Sequence, residues 1–424
     1  MPTPDAQPIP DLSAFIDAAP TPFHAVQVVH AGLVDAGFSL LDEQQAWPSE
    51  PGRYLVVRDG SLVAWVVGGG HTPTSGFRIV GAHTDSPNLR LKPHHDHSHQ
   101  QYRQLAVEVY GGVLLNSWLD RDLGVAGRVV GRDGQVRLVR DDDHGVRVPQ
   151  LAIHLDREIS EKGLVLNRQQ HMAPIWSLGA ESPFLEGFCA GQGLDPEEVA
   201  GFDLMLHSLE APRVLGRDAE MLAAPRIDNL LSCHAGAQAV STHDETSDSV
   251  AVLALFDHEE VGSTTASGAA SPLLRGTLER VVRQLGGDGD DTARALAASV
   301  MLSADGAHAT HPNYADRHEP DHQIALNAGP VIKRNANARY ATDAVSEAAF
   351  VEVCRSRDIP YQHFVNRTDL ACGSTIGPIS AAASGIRTID VGVAQLSMHS
   401  IRELCGTADE AWFTQALAGF LSDG

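Results

Sequence analysis

The run Val250-Ala-Val-Leu-Ala-Leu-Phe256 contains no polar side chain and stops at Asp257-His258-Glu259-Glu260. Seven apolar residues without a helical or alternating period read as a strand buried on both faces, the kind found in a parallel sheet covered by helices. In open α/β sheets ligands bind at the carboxyl ends of the strands, and this strand delivers three carboxylates and an imidazole to its own end. Two like charges ~4 Å apart cost about 4 kcal/mol at an effective dielectric of 20, so a carboxylate group in a partly buried cleft needs cations or protons. A metal hydrolase uses such a Glu pair for separate jobs, one as a ligand and one as a proton acceptor. Taken alone, the motif also fits a solvated acidic turn.

Four more motifs sit where an apolar run gives way to a polar turn. Gly81-Ala-His83-Thr-Asp85-Ser-Pro87 follows a strand expected at 77–80, and Ser303-Ala-Asp305-Gly-Ala-His308 follows one at 299–302. Met398-His399-Ser400 follows a strand at 388–391 by a short loop, and Arg226-Ile-Asp228-Asn229 opens a helix expected at 229–240. Each has an ordinary structural explanation: a strand-end turn for His83 and Asp85, a helix N-cap for Asp228, a hydrogen-bonded structural imidazole for His399. Together they supply oxygen and imidazole donors suited to zinc or a similar divalent ion and poorly suited to calcium or an iron–sulfur cluster. Asp228 has two oxygens and is able to bridge two ions, while Asp85 is placed to orient His83 from behind. The sequence therefore predicts a dinuclear metallohydrolase.

Asp11 to Ala36 reads as two helices broken by Pro20 and Pro22, and strands are expected at 54–57 and 62–67. Between about residue 92 and residue 217 the texture changes to short β runs at 105–110, 125–130, 136–139 and 146–153, separated by turns such as Gly111-Gly112. From residue 218 the α/β rhythm returns, with a helix at 273–285, another at 344–357 and a terminal one at 408–421. The expected fold class is α/β: a catalytic α/β/α sandwich made of residues 1–92 and 218–424, interrupted by an inserted, mostly β module at 93–217. His94, His95, His97 and His99 fall at the start of that module and are expected in a solvated polar loop.

Lys+Arg total 31 against 54 Asp+Glu, a net charge of −23, which repels nucleic acid and anionic membranes. Five scattered cysteines without a Cys-x-x-Cys pair argue against a disulfide framework and a thiolate zinc site, and fit a reducing cytoplasm. The start Met1-Pro-Thr-Pro-Asp-Ala-Gln lacks the basic and apolar regions of a secretory signal, and no stretch has the ~18 apolar residues needed to span a bilayer. No Gly-x-Ser-x-Gly elbow is present, which argues against a serine hydrolase.

At these residues the chain resembles the aspartyl aminopeptidase family of dinuclear zinc metallopeptidases. Besides the five motifs, the likeness rests on Thr21-Pro-Phe-His24-Ala-Val, Trp118-Leu-Asp-Arg-Asp-Leu123, Leu151-Ala-Ile-His154-Leu, Arg339-Tyr-Ala-Thr-Asp343 and Gly373-Ser-Thr-Ile-Gly-Pro378, in order along nearly the whole chain. His258 stands where the family more often has Asn. The resemblance implies a zinc-exopeptidase catalytic fold holding two divalent ions per subunit, zinc in the first place, with manganese and cobalt as alternatives. It implies that Asp228 bridges them, that His83 and Asp305 complete one site and Glu260 and His399 the other, and that Glu259 is the general base. Asp85 then stands behind His83. His308, Lys333 and Tyr340 fall at positions near the substrate, with Lys333 the expected partner of an acidic side chain. The β module is expected to mediate dimerisation, and His154 to reach a neighbouring subunit's active site in a homo-oligomer, a tetrahedral dodecamer built from dimers. The implied activity is release of N-terminal Asp or Glu from peptides. A di-metal exopeptidase or deacylase of broader specificity, and a non-catalytic metal-binding scaffold, are the competing readings.

Overall fold

Along the strand Val250–Phe256, Ala251, Leu253 and Leu255 enter one buried apolar cluster while Val250, Val252, Ala254 and Phe256 enter another, so the seven-residue apolar run serves two cores at once. Helices Leu12–Ala18, Pro22–Asp35, Ile227–Ser241, Ala344–Ser356 and Asp409–Ser422 close the first cluster. Helices Leu273–Gln284, Gly289–Ala297 and Ile376–Ser384 close the second. The result is an α/β/α sandwich. The computed structural model describes residues 9–179 and 181–422.

The sheet between the helix layers has nine strands in the order Ser39–Leu40, Gly52–Arg58, Ser61–Val67, Val250–Phe256, Phe77–His83, Val300–Ala304, Arg387–Gly392, Val331–Arg334, Gln362–Val365. Its four middle strands, from Val250–Phe256 to Arg387–Gly392, are mutually parallel and therefore end on one edge. The two expected N-terminal helices form as read: Thr21 caps the second, its Oγ1 accepting from the His24 amide at 3.4 Å, and Pro22 occupies the first turn, where no donor is needed.

A separate antiparallel sheet runs Val136–Val146, Leu123–Gly131, Val199–Ser208, Asn88–His99, Tyr102–Tyr110, Ile175–Ser177. Two expectations change here. The histidine-rich segment is not a loop: His94, His95, His97 and His99 lie in the strand Asn88–His99, which runs past residue 92 with a register shift between Leu91 and Asp96, although His94, His97 and His99 are exposed. His95 is buried, its ring edge-on to Phe184 at 6.0 Å and to Phe202 at 5.2 Å, so an apolar neighbourhood decides what polarity alone concealed. The expected strand at 146–153 does not form as such: past Val146 only isolated bridges at Arg147 and Val148 remain, Pro149 has no donor to continue them, and Ile153–Leu155 form a 3-10 turn.

A third sheet of five short strands, Arg213–Leu215, Met221–Ala224, Glu403–Gly406, Ala394–Leu396 and Ala307–His308, lies beside the carboxyl edge of the nine-stranded sheet. Among the described residues no helix is long and apolar enough to cross a membrane, and all five cysteines are free.

Candidate metal centre

The five motifs read as ligand-bearing arrive at the carboxyl edge of the parallel strands. His83 is the last residue of Phe77–His83; Glu259 and Glu260 form a 3-10 turn just after Val250–Phe256; Asp305 follows Val300–Ala304. Asp228 lies in the first turn of Ile227–Ser241, where its own backbone is non-helical and its carboxylate caps nothing. His399 sits in the loop between Ala394–Leu396 and Glu403–Gly406.

Their donor atoms converge. One ligand atom from each of His83, Asp228 and Asp305 lies within 4.8 Å of the others, and the same holds for Asp228, Glu260 and His399 and for His83, Glu259 and Glu260. Asp228 joins the two halves: its Oδ1 is 3.3 Å from His83 Nε2 and its Oδ2 is 3.3 Å from His399 Nε2. Asp305 Oδ1 stands 3.5 Å from His83 Nε2, and Glu260 Oε1 stands 3.3 Å from His399 Nε2.

Both imidazoles are oriented by carbonyls. His83 Nδ1 donates to the Asp85 backbone oxygen at 3.0 Å, and His399 Nδ1 donates to the Gly112 oxygen at 3.1 Å. A carbonyl only accepts, so the proton is fixed on Nδ1 and each Nε2 faces the carboxylates. Asp85 thus meets His83 chiefly through its main chain, the carboxylate standing at 3.4 Å. That carboxylate instead accepts the Glu259 amide at 3.0 Å, the Glu260 amide at 3.1 Å and the Tyr110 hydroxyl at 2.6 Å.

The electrostatics describe a cluster short of positive charge. Burial alone would discharge His83, yet the adjoining carboxylates of Asp228, Asp305 and Asp85 hold its imidazole well above the usual range. His399 is lowered by burial but raised more strongly by Asp228 and Glu260, to about 10. Burial, and then the charge of Asp228, pushes Glu260 well up. Glu259 rises to about 7, from burial and from the charges of Asp305, Asp85 and Asp228 against the opposing pull of His83. Asp228 Oδ1 and Glu260 Oε1 are buried and accept no hydrogen bond. Buried oxygens without donors, facing imidazole nitrogens, are what divalent cations satisfy, so this donor set fits zinc-like ions.

Sequence reasoning missed Glu403, four residues after His399. It is buried and accepts the Asp228 amide at 2.8 Å and the His399 amide at 2.7 Å, holding a residue of each half. Burial and the charge of Asp228 raise it to about 8. A Glu four residues after a candidate ligand was the available signal. Lys333 is buried, with Nζ 3.2 Å from Asp305 Oδ2 and 3.0 Å from the Gly306 carbonyl, and stands over the Tyr340 ring at 5.1 Å. Its ammonium is thus already paired with a candidate ligand. His308 lies at the exposed rim, edge-on to Phe364 at 6.2 Å, and Tyr340 is buried against the same Phe364 at 6.3 Å. His154 is exposed in the turn Ile153–Leu155 and belongs to none of the three donor groups.

The family described as aminopeptidase I zinc metalloprotease (M18) matches residues 15–421. A probable M18 family aminopeptidase 2 of Streptomyces avermitilis is 53% identical over 420 residues, 97% of this chain and 96% of that one. A chain in the cryo-EM structure of the Ape4 and Nbr1 complex superposes with a TM-score of 0.93 at 37% identity, covering 97% of this chain and 85% of that chain. A chain of the S. cerevisiae mApe1 dodecamer does so with a TM-score of 0.85 at 29% identity, covering 97% and 95%.

Proposed function

The chain belongs to the M18 family of zinc metalloproteases and is a metallo-aminopeptidase of that family, and from that premise we propose that it removes N-terminal acidic residues from peptides at a centre of two divalent ions. The observation that carries the two-ion reading is Asp228, whose two oxygens each face one imidazole Nε2 at 3.3 Å. His83, Asp228 and Asp305 would hold one ion, and Asp228, Glu260 and His399 the other, zinc in each with manganese or cobalt as alternatives. When bound, the ions supply Lewis-acid polarisation of the scissile carbonyl and of the attacking water.

Glu259 does the proton work. It belongs to the turn that carries Glu260, its amide is fixed by Asp85, and an affinity for protons near 7 lets it accept one from water and return it to the leaving amine. Asp85 holds both glutamates by their amides and His83 by its carbonyl, so one residue keeps base and ligand in register.

For the acidic preference the proposal assigns Lys333, buried between Asp305 and Tyr340, as the cation that a substrate carboxylate meets, with His308 and Tyr340 forming the wall. A substrate carboxylate at Lys333 competes with Asp305. Lys333→Ala is therefore expected to lose activity on Asp- and Glu-anilides far more than on neutral ones. An equal loss on all substrates would mean that Lys333 serves Asp305 and not the substrate. The wider test is hydrolysis of acidic against neutral anilides by the same protein, chelated and then restored with each metal; a flat profile would favour a broad-specificity exopeptidase.

Residues 1–92 and 218–424 form the catalytic unit in this proposal, and 93–217 a dimerisation unit. Exposed Leu151, Ile153, Leu155, Val165 and Leu178 support an interface there. A similar chain assembles as the mApe1 dodecamer, and the same assembly of dimers here would bring His154 to a neighbour's cleft. Light scattering of the purified protein tests the assembly. The charge balance and free cysteines support a cytoplasmic location.

A further inference from the structure

Three consecutive residues at the end of the strand Tyr102–Tyr110 reach from the six-stranded sheet to the metal centre: Gly111 and Gly112 meet the half formed by Glu260 and His399 directly, and Tyr110 reaches it through the Asp85 oxygen that anchors the Glu260 amide. Tyr110 donates its hydroxyl to Asp85 Oδ2 at 2.6 Å, the oxygen that also accepts the Glu260 amide at 3.1 Å. Gly111, at φ 74° in the left-handed region, packs so closely that a Cβ there would stand 3.0 Å from Glu260 Cβ and 3.3 Å from its Oε2. Gly112 accepts from His399 Nδ1 at 3.1 Å, and a Cβ on it would lie 2.9 Å from that nitrogen. The attachment continues outward: the Leu114 amide donates to the His399 carbonyl at 3.2 Å, and the Ile401 amide donates to Ser117 Oγ at 3.0 Å. Ile401 itself is buried in the apolar core of the six-stranded sheet.

His83 and Asp305 take their partners from elsewhere. His83 is held by the Asp85 carbonyl and by Cys233, whose thiol donates to the His83 carbonyl at 3.0 Å. Asp305 is held by Lys333 and, through its amide, by the Val391 carbonyl at 2.9 Å. Strand ends and the helix behind them therefore form one half of the centre. The other half is formed by two loops, 258–262 and 397–402, pressed against a turn of a different sheet.

We propose that the turn Tyr110-Gly111-Gly112 sets the affinity of the ion held by Glu260 and His399 while leaving the ion held by His83 and Asp305 nearly untouched. The two sites then load unequally, and the seating of the six-stranded sheet governs the weaker one. The mechanism is steric and directional. Gly112 fixes the imidazole tautomer and leaves no room for the ring to rotate toward the turn, Gly111 limits the rotamers of Glu260, and Tyr110 fixes the Asp85 oxygen that anchors the Glu260 amide. A shift of this turn moves both ligands together. This proposal rests on the two-ion reading above.

The test strips the full-length enzyme with chelator, returns zinc in competition with a chromophoric chelator, and counts bound ions by native mass spectrometry. Gly112→Ala places a methyl against His399 Nδ1 and is expected to weaken the second ion tenfold or more with the first changed by less than twofold. Tyr110→Phe keeps the ring and its packing, and is expected to weaken the second ion severalfold. In both variants the first ion reports that the sandwich is intact. Equal weakening of both ions, or a second-ion affinity unchanged in both variants, overturns the proposal. A wild-type protein that takes only one ion at saturation overturns the two-ion reading itself, and this proposal with it. Cobalt loading provides an independent readout: the spectrum of the first equivalent should match wild type in each variant, and that of the second should not.

Discussion

His83 and His399 face the same aspartate at the same 3.3 Å, yet they are held by different physics. His83 ends a central strand, and its side chain is 2% exposed; His399 hangs in a loop, and its side chain is 30% exposed. The first is placed by the sheet, because the pleat that aligns Phe256 with His83 also fixes where the imidazole starts. The second is placed by docking, because its orientation depends on a carbonyl donated by another sheet. A centre built this way has one half as stable as its core and one half only as stable as an interface.

The largest effect is expected from the residue that belongs to neither half. Glu259→Gln keeps the size of the side chain and removes its ability to take a proton, so turnover should fall by roughly 10²–10⁴-fold while both ions still bind. Loss of either ion in that variant would show that Glu259 is a ligand and erase the distinction between base and donor set.

The two histidines give the direct comparison. In chelator, His83→Ala leaves Asp228, Asp305 and Asp85 as buried carboxylates without their shared cation, and breaking such a buried pair costs roughly 3–5 kcal/mol. His399→Ala removes a partner that is 30% exposed, so a smaller loss than for His83→Ala is expected. Urea unfolding of the two metal-free variants measures the gap. Equal losses would mean that the loop half is as deeply built in as the strand half.

A symmetric perturbation sharpens the contrast. Glu403 accepts the amides of both Asp228 and His399, and Glu403→Gln converts one of its acceptor oxygens to a donor, leaving one buried amide unsatisfied at about 1–3 kcal/mol. Because Asp228 serves both halves, both ion affinities should fall together, by roughly tenfold each if about half of that penalty reaches the ligands. A loss confined to the second ion would show that Glu403 acts through His399 alone.

What could be read from the sequence follows the same division. The strand Val250–Phe256 was legible because burial on both faces demands an unbroken apolar run, and Phe77–His83 because its apolar residues resume after Arg78; a run followed by Asp, Glu or His marks its own end. His83, Glu259, Glu260 and Asp305 were therefore found by position. The strand Val331–Arg334, which carries Lys333, spans four residues and includes two cations, too short and too polar to show a period. Glu403 and the turn Tyr110-Gly111-Gly112 were not assigned to the centre because their role is a contact between sheets, and nothing local encodes which distant carbonyl a histidine will meet. Gly111-Gly112 was read as a turn between β runs, which accounts for the flexibility of glycine but not for the side chains packed against it. His95 was misplaced for a related reason: a polar stretch looks solvated until Phe184 and Phe202 are brought to it.

A last difference lies in the pH dependence of the loop half. In the metal-free protein His399 binds its proton more tightly than an ordinary imidazole, at about 10 against 6.5, through Asp228 and Glu260 and in spite of burial. The folded state then holds the proton that the unfolded chain releases. Its contribution to stability is fully present below pH 6.5 and is lost as the pH rises toward 10. The same proton must leave before a cation can take Nε2, so second-ion affinity should climb over this window as metal-free stability declines. Calorimetric zinc titrations in buffers of different ionisation enthalpy count the protons released with each ion. Replacing His399 should flatten the slope in metal-free stability above neutrality without abolishing it, because His83, Glu260 and Glu403 also hold protons there; an unchanged slope would mean that the loop half is less strained by its carboxylates than its geometry implies.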